Sequence, residues 1–401
     1  MARFVNDPTG QRPQQFDIGN VVRRFRYRFG RAWWDLSPEQ KQAIEDISEC
    51  MTKKRGGRLI GCCDCDNQHW TYNGCKKRSC PKCSGAETRE WLVEMEREIL
   101  PCPHFHLTVS IPTGLHVHFY QEDQRYLYGL FMAVVREQLH EIAGNPKYLG
   151  ADVSMFQLLH TWNGCMEYHP HVHIMVSAGG MKNGQWIKSN PAHLVPNDLL
   201  GNAVREEFQQ RLRRMRPEIY ARIKPLAWQQ KWKVHSQRYE IKDRRILLQY
   251  LSRFVYRVAI AHNQLLVMDE NTVTYRYKDR QTDEYRYETL DGGEFLKRFV
   301  RHVLPKDFHK ARKSGLYHYR QNHEYKSAVV LLQQIYHEEL TKLAFESRTD
   351  TDGTNEIRSR LKQSRHSCPY CGSKRLYCIR EVMYGELIHN DPQPYQNRHG
   401  P

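Results

Sequence analysis

Leu158-Leu159-His160-Thr161-Trp162, followed after six residues by His169-Pro170-His171-Val172-His173, is the stretch that decides how this chain folds. Residues 154–162 and 169–177 have the patterning of strands, and a turn over 163–168 would join them as a hairpin. Strand side chains repeat every two residues, so His169, His171 and His173 share one face. His160 lies eleven residues before His171, which sets it opposite the 171–173 stretch on that same face. Three imidazoles, His160, His171 and His173, converging on one point make a site for a divalent ion with open coordination positions. Such an ion can polarise a phosphate oxygen. With 21 histidines, chance His-x-His pairs are expected; His104 with His106 and His116 with His118 lack a facing histidine on a partner strand.

Outward from this hairpin the periodicities change type. Residues 106–111 read as a strand, 122–142 as a helix, 199–216 as a basic helix, 231–237 as a strand and 244–260 as an amphipathic helix. That order predicts an α+β domain with an antiparallel central sheet covered on one face. A second hairpin over 265–290 and a basic helix over 294–304 follow. Upstream, Ser37-Pro38-Glu39-Gln40 has the composition of a capping box with proline at the first helical position.

Within 244–260 the apolar stripe is Leu247, Leu251, Val255 and Val258. Tyr250 stands off that stripe, on the face carrying Arg253 and Arg257. Guanidinium groups beside a phenol ease its ionisation and suit a phosphodiester, help that a tyrosine nucleophile needs because its ordinary pKa is near 10. A tyrosine on a basic helix is more often packing. The histidine cluster is what gives Tyr250 weight.

Six of the twelve cysteines fall from Cys62 to Cys83. Cys62 with Cys65 and Cys80 with Cys83 form two C-x-x-C knuckles able to supply four thiolates to a tetrahedral zinc ion. Cys50, Cys63, Cys75 and His69 leave room for a second site, so the pairing stays open. A module this small would take its folding energy from the metal. Lys76, Lys77 and Arg78 beside the ligands suit a phosphate backbone. Cys368-Pro369-Tyr370-Cys371 is half of a zinc ribbon, to be completed by Cys378, His366 or a distant residue.

The chain has 401 residues, enough for two or three domains, and 61 Lys plus Arg against 45 Asp plus Glu give a net charge of +16. That excess predicts a polyanionic partner. The 40% hydrophobic content excludes a disordered tail protein, and no apolar run approaches the roughly 18 residues of a membrane span. No apolar export segment stands in the first thirty residues, so reduced, metal-bound cysteines in the cytoplasm are expected. Residues 21–29 alternate base and aromatic, Arg26 and Arg28 among them. Such interleaving suits the unpaired bases of single-stranded DNA. No G-x-x-x-x-G-K-[ST] loop is present, so no nucleotide hydrolysis is expected.

Three blocks of residues carry a specific resemblance. They are Tyr72-Asn73-Gly74-Cys75-Lys76-Lys77-Arg78-Ser79-Cys80-Pro81-Lys82-Cys83, the histidine hairpin, and Tyr250-Leu251-Ser252-Arg253-Phe254-Val255-Tyr256-Arg257-Val258-Ala259-Ile260. Together they resemble bacterial rolling-circle transposases of the insertion-sequence ninety-one group, within the HUH (His-hydrophobic-His) endonucleases, over roughly residues 35–320. The resemblance implies an HUH nuclease domain with His171 and His173 as ligands of Mg²⁺ or Mn²⁺. It implies cleavage of single-stranded DNA through a 5′-phosphotyrosine on Tyr250, reversed in joining. The second family tyrosine, four positions on, is Phe254 here, which matches single-tyrosine relatives. The expected domains are 1–95, a basic helix and zinc module; 96–265, the nuclease domain with the tyrosine helix; and 266–401, a basic C-terminal region with a possible knuckle. A plasmid or phage replication initiator, or a non-catalytic zinc-bearing regulator derived from a transposase, is the alternative. A nucleoid-associated bacterial protein is the expected setting.

Overall fold

The computed structural model describes residues 17–83, 91, 93–243, 246–248, 259–279, 282–318, 322–349 and 367–383. In chain order the helices used below are α1 (Ile18–Phe25), α2 (Pro38–Glu49), α3 (Thr113–Gln121), α4 (Gln124–Gly144), α5 (Asn197–Met215), α6 (Gly292–Val300), α7 (His323–Ile335) and α8 (His337–Thr349). The strands are β1 (Gly57–Cys62), β2 (Gln68–Tyr72), β3 (His104–Ser110), β4 (Asp152–Trp162), β5 (Tyr168–Lys182), β6 (Gln185–Lys188), β7 (Lys233–Tyr239), β8 (Leu265–Met268), β9 (Thr272–Lys278), β10 (Tyr285–Asp291), β11 (Ala311–Ser314) and β12 (Leu376–Val382). They form an α+β structure of three antiparallel sheets: β11-β4-β5-β3-β7 with β6 on β5, β12-β1-β2, and β10-β9-β8.

Alternation along the central sheet sorts its side chains into two faces. Val153, Met155 and Leu159 of β4, Val172, Ile174 and Val176 of β5, and Phe105, Leu107 and Val109 of β3 pack with α4 and α5. Phe156 and Leu158 of β4 and Met175 of β5 point the other way, into a core with Trp91, Leu247, Leu248, Tyr317 and Leu332. The sheet is therefore covered on both faces, not on one as expected. The reason is in the strands themselves: every residue of β4 after Asp152 is buried, so both parities need a partner.

A third core joins the N-terminal helices to residues 259–300. Ile18, Val22 and Phe25 of α1 and Ile44 and Ile47 of α2 pack against Tyr275 of β9 and Phe295, Leu296 and Phe299 of α6. The Ser37–Gln40 capping box forms as expected, with Gln40 N–H donating to Ser37 Oγ at 3.2 Å and Ser37 N–H donating to Gln40 Oε1 at 2.9 Å. Gln40 Nε2 also donates to the Val300 carbonyl at 3.0 Å, fastening α2 to the end of α6. Residues 265–290 make a three-stranded meander where a hairpin was expected. The described parts of 266–401 pack with the rest of the chain: β8–β10 and α6 share a core with α1, β11 pairs with β4 at the edge of the central sheet, and β12 pairs with β1. Among the described residues no helix is long and apolar enough to cross a membrane.

Candidate metal centres and the histidine face

The β4–β5 register sets His160 directly across from His171, and period-two alternation puts His173 on the same face. Each is 4% exposed or less, and their ligand-capable nitrogens lie within 4.8 Å of one another. His171 Nδ1 faces the His169 carbonyl at 2.7 Å. A carbonyl only accepts, so Nδ1 carries the proton and Nε2 offers its lone pair. His173 Nδ1 meets His106 Nε2 at 2.9 Å, which leaves His173 Nε2 facing His171 Nε2 at 3.1 Å. Two nitrogens each about 2.1 Å from one ion and at right angles sit about 3.0 Å apart, so this donor set fits a divalent ion. His160 closes the third side, its ring 4.7 Å from that of His173, with Trp162 stacked on it at 4.7 Å.

His169, the third alternate histidine, is outside this set and contributes its carbonyl instead. His106 is the functional neighbour that sequence reading passed over. Its side chain has the parity of Thr108, which is paired with His173 across β3 and β5. Only the strand order of the sheet brings it there; His-x-His spacing alone carries no such signal.

Behind the hairpin turn, His302 is fully enclosed. Its Nε2 faces the Met166 carbonyl at 3.0 Å and its Nδ1 the Thr161 hydroxyl at 3.2 Å, so it sits neutral with Nε2–H donating. Burial pushes it down to about 4. Tyr168, next to the turn, hydrogen-bonds Tyr128, and burial holds its phenol well above the ordinary value, which unsuits it as a nucleophile.

Tyr250, Arg253 and Arg257 lie outside the described residues, as does all but 246–248 and 259–260 of the expected 244–260 helix. Leu247 and Leu248, immediately upstream, pack in the core on the histidine side of the sheet, and Ala259 and Ile260 pack in the core that includes Trp162.

The expected zinc ligands separate into two sets. Cys75, Cys80 and Cys83 are joined by Cys50, the residue that ends α2, while Cys62 and Cys65 point elsewhere. The two knuckles thus do not share one ion. Cys50 Sγ lies 3.6 Å from both Cys80 and Cys83, and Cys75 lies 3.8 Å from Cys83. Zinc–thiolate bonds of about 2.3 Å in a tetrahedron place the sulfurs about 3.8 Å apart. Hydrogen bonding among the thiols, with burial behind it, raises Cys75 and Cys80 and leaves Cys83 lowered, so only a cation lets all four ionise together.

The basic residues around this centre are partly engaged within the chain. Lys77 pairs with Asp46 at 2.9 Å; burial would raise that carboxyl, but Lys77 and Arg55 outweigh it and hold it low. Arg78 donates to the Phe308 carbonyl. Lys76 is exposed. Arg26 pairs with Glu45 at 3.0 Å, and Arg28 with Asp291 at 2.6 Å and Asn271 at 2.7 Å, so both tie the N-terminal segment down. A cleft of about 630 Å³ opens beside the zinc loop, lined by Lys76, Lys77, Arg78, Lys306 and Lys310 and reached by Trp162, the ring stacked on His160.

With this geometry in place, the chain is identified by class as an insertion-sequence transposase bearing an N-terminal zinc-binding domain. The family described as "Putative transposase" matches residues 154–324, and that described as "Transposase zinc-binding domain" matches residues 21–111. Both matches are to transposase families, the second of them the zinc-binding domain of the insertion-sequence ninety-one group. It is 27% identical to "Putative transposase y4qJ" of Sinorhizobium fredii (strain NBRC 101917 / NGR234), over 90% of this chain and 94% of that one. It is 26% identical to "Transposase for insertion sequence element IS801" of Pseudomonas savastanoi pv. phaseolicola, over 68% of this chain and 69% of that one. No solved structure matches the chain.

Proposed function

We propose that this transposase cleaves and rejoins single-stranded DNA by transesterification at Tyr250, as an HUH nuclease of single-tyrosine type. Tyr250 Oη attacks the scissile phosphorus in line, the bond to the 3′ oxygen breaks, and a 5′-phosphotyrosine and a free 3′-hydroxyl result. The phenol loses one proton and the leaving oxygen takes one up. Attack of a 3′-hydroxyl on the phosphotyrosine reverses the step and joins the strand, so no nucleotide need be spent. His160, His171 and His173 are the residues that would hold Mg²⁺ or Mn²⁺; when bound, that ion supplies Lewis-acid polarisation of a phosphate oxygen. An all-imidazole set favours Mn²⁺ over Mg²⁺. Arg253 and Arg257, three and seven residues beyond Tyr250, would hold the phosphate and ease loss of the phenolic proton. The basic cleft beside Trp162 gives the strand a route toward the histidines.

The observation that carries this reading is the buried imidazole set, with Nε2 to Nε2 at 3.1 Å, on the side of the sheet against which Leu247 and Leu248 pack. The test is a labelled single-stranded oligonucleotide from the flank of the gene, incubated with protein and Mn²⁺ and run on a denaturing gel. A covalent adduct is expected from wild type and none from Tyr250→Phe. An equal adduct from both would remove Tyr250 as nucleophile. Double-stranded substrate of the same sequence should give no adduct.

A further inference from the structure

Strand β12 pairs antiparallel with β1 from Gly57 opposite Val382 to Cys62 opposite Leu376. This pairing brings the Cys368–Cys371 knuckle to the Cys62–Cys65 knuckle, although Cys65 and Cys368 are 303 positions apart. Cys62 Sγ lies 3.6 Å from Cys371, and Cys65 Sγ lies 3.6 Å from Cys368. A disulfide needs about 2.05 Å. The separations instead fit the edges of a tetrahedron of thiolates around zinc, about 3.8 Å. Backbone N–H of Asp64 and the Asn67 side-chain amide each donate to a sulfur, of Cys62 and Cys65, at 3.4 Å, the support that ligating thiolates receive. Asp64 is itself held by Arg375 at 3.1 Å, across the same junction.

We propose that Cys62, Cys65, Cys368 and Cys371 hold a second zinc ion that clasps the C-terminal segment to the N-terminal zinc module. The need for an ion follows from what β12 lacks. Of its seven residues only Val382 is buried, and Tyr377 and Ile379 are 50% and 42% exposed. A strand laid on a sheet edge with almost no apolar burial is marginal without a further tie. Metal binding supplies that tie because the site exists only when both segments are in place. The clasp is also the more open of the two centres: Cys371 is exposed and Cys65 half-buried, whereas every ligand of the Cys50 set is 9% exposed or less. Its ion is therefore the first to exchange. The zinc-binding family match ends at residue 111, so half of this site lies outside the domain as that family defines it. The inference is independent of the strand-cleavage chemistry.

The test uses the full chain, purified with zinc. Elemental analysis should give one zinc ion fewer per chain in the Cys368→Ser/Cys371→Ser double variant than in wild type. Hydrogen exchange over residues 376–382 should quicken at least tenfold in that variant while residues 104–110 keep their protection. Stepwise chelation of wild type should release one zinc together with the protection of 376–382, before the second zinc leaves. Equal zinc content in wild type and the double variant would overturn the site. Complete removal of zinc with 376–382 still protected would overturn the clasp, and this chelation result decides the matter should the double variant unfold throughout.

Discussion

His173 shows how one residue prepares another. Its Nε2 faces the cluster because its Nδ1 is taken by His106, and such partners of ligating histidines are worth about 10- to 100-fold in metal affinity. His106→Leu should therefore weaken Mn²⁺ binding at least tenfold by calorimetry, while His106→Gln, which keeps an acceptor on a side chain of similar reach, should lose much less. Equal Mn²⁺ affinity in wild type and His106→Leu would show that His173 needs no such partner. His302 sets a pH dependence of its own. Its folded pKa near 4 lies below the ordinary 6.5, so between these values the unfolded chain binds the extra proton. Stability from His302 is thus fully present above about pH 6.5 and is lost as pH falls toward 4. The whole shift is worth roughly 3 kcal/mol. Denaturant midpoints should fall over this range in wild type and fall less in His302→Gln, which keeps a donor for the Met166 carbonyl. An unchanged slope in the variant would assign the acid sensitivity to half-buried histidines such as His116 and His140, which desolvation also lowers.

Among the elements, those set by local pattern were legible in the sequence. The Ser37 capping box needs only four consecutive residues, and it forms; Ser37→Ala should cost about 1 kcal/mol in urea denaturation, chiefly by freeing the Gln40 N–H. The β4–β5 hairpin was legible too, because alternation and an eleven-residue spacing fix both face and register. What the elements do not announce is their neighbours. That β3 would bring His106 beside His173, or that α7 would cover the second face, depends on strand order and on residues far along the chain. Cysteine spacing has the same limit: several tetrads satisfy zinc, and Cys50, alone at the end of α2, has no C-x-x-C signature to mark it. Packing between elements can still be probed singly. At Gly292 a Cβ would sit 2.3 Å from the Phe25 ring, where α6 crosses α1, so Gly292→Ala should destabilise by about 1–3 kcal/mol with the central sheet unaffected. A thermal midpoint equal to wild type would mean that Phe25 can move aside.

At the scale of the whole molecule the net charge of +16 acquires an address. Several basic groups that the sequence alone would give to DNA are spent inside the fold, Arg28 on Asp291 and Asn271 and Lys77 on Asp46. Lys76 and Lys306 remain exposed on the lining of the cleft beside Trp162. Replacing both with Gln should weaken single-stranded oligonucleotide binding for all sequences alike. It should also flatten the salt dependence by about 1.4 in log–log slope, at about 0.7 for each phosphate of a single strand left without its lysine. Unaltered slope would move the DNA path away from that cleft.

The pairing of β12 with β1 also imposes an order on biosynthesis. A ribosome adding roughly 5–20 residues per second needs on the order of 15–60 s to travel from Cys65 to Cys368. Throughout that interval the nascent chain carries an unmatched strand edge and a pair of thiols waiting for residues 368–382. A message cut short before the codon for Cys368 would release a polypeptide whose zinc module lacks half the ligands of its second centre, which makes the assembled module a report that translation passed residue 382.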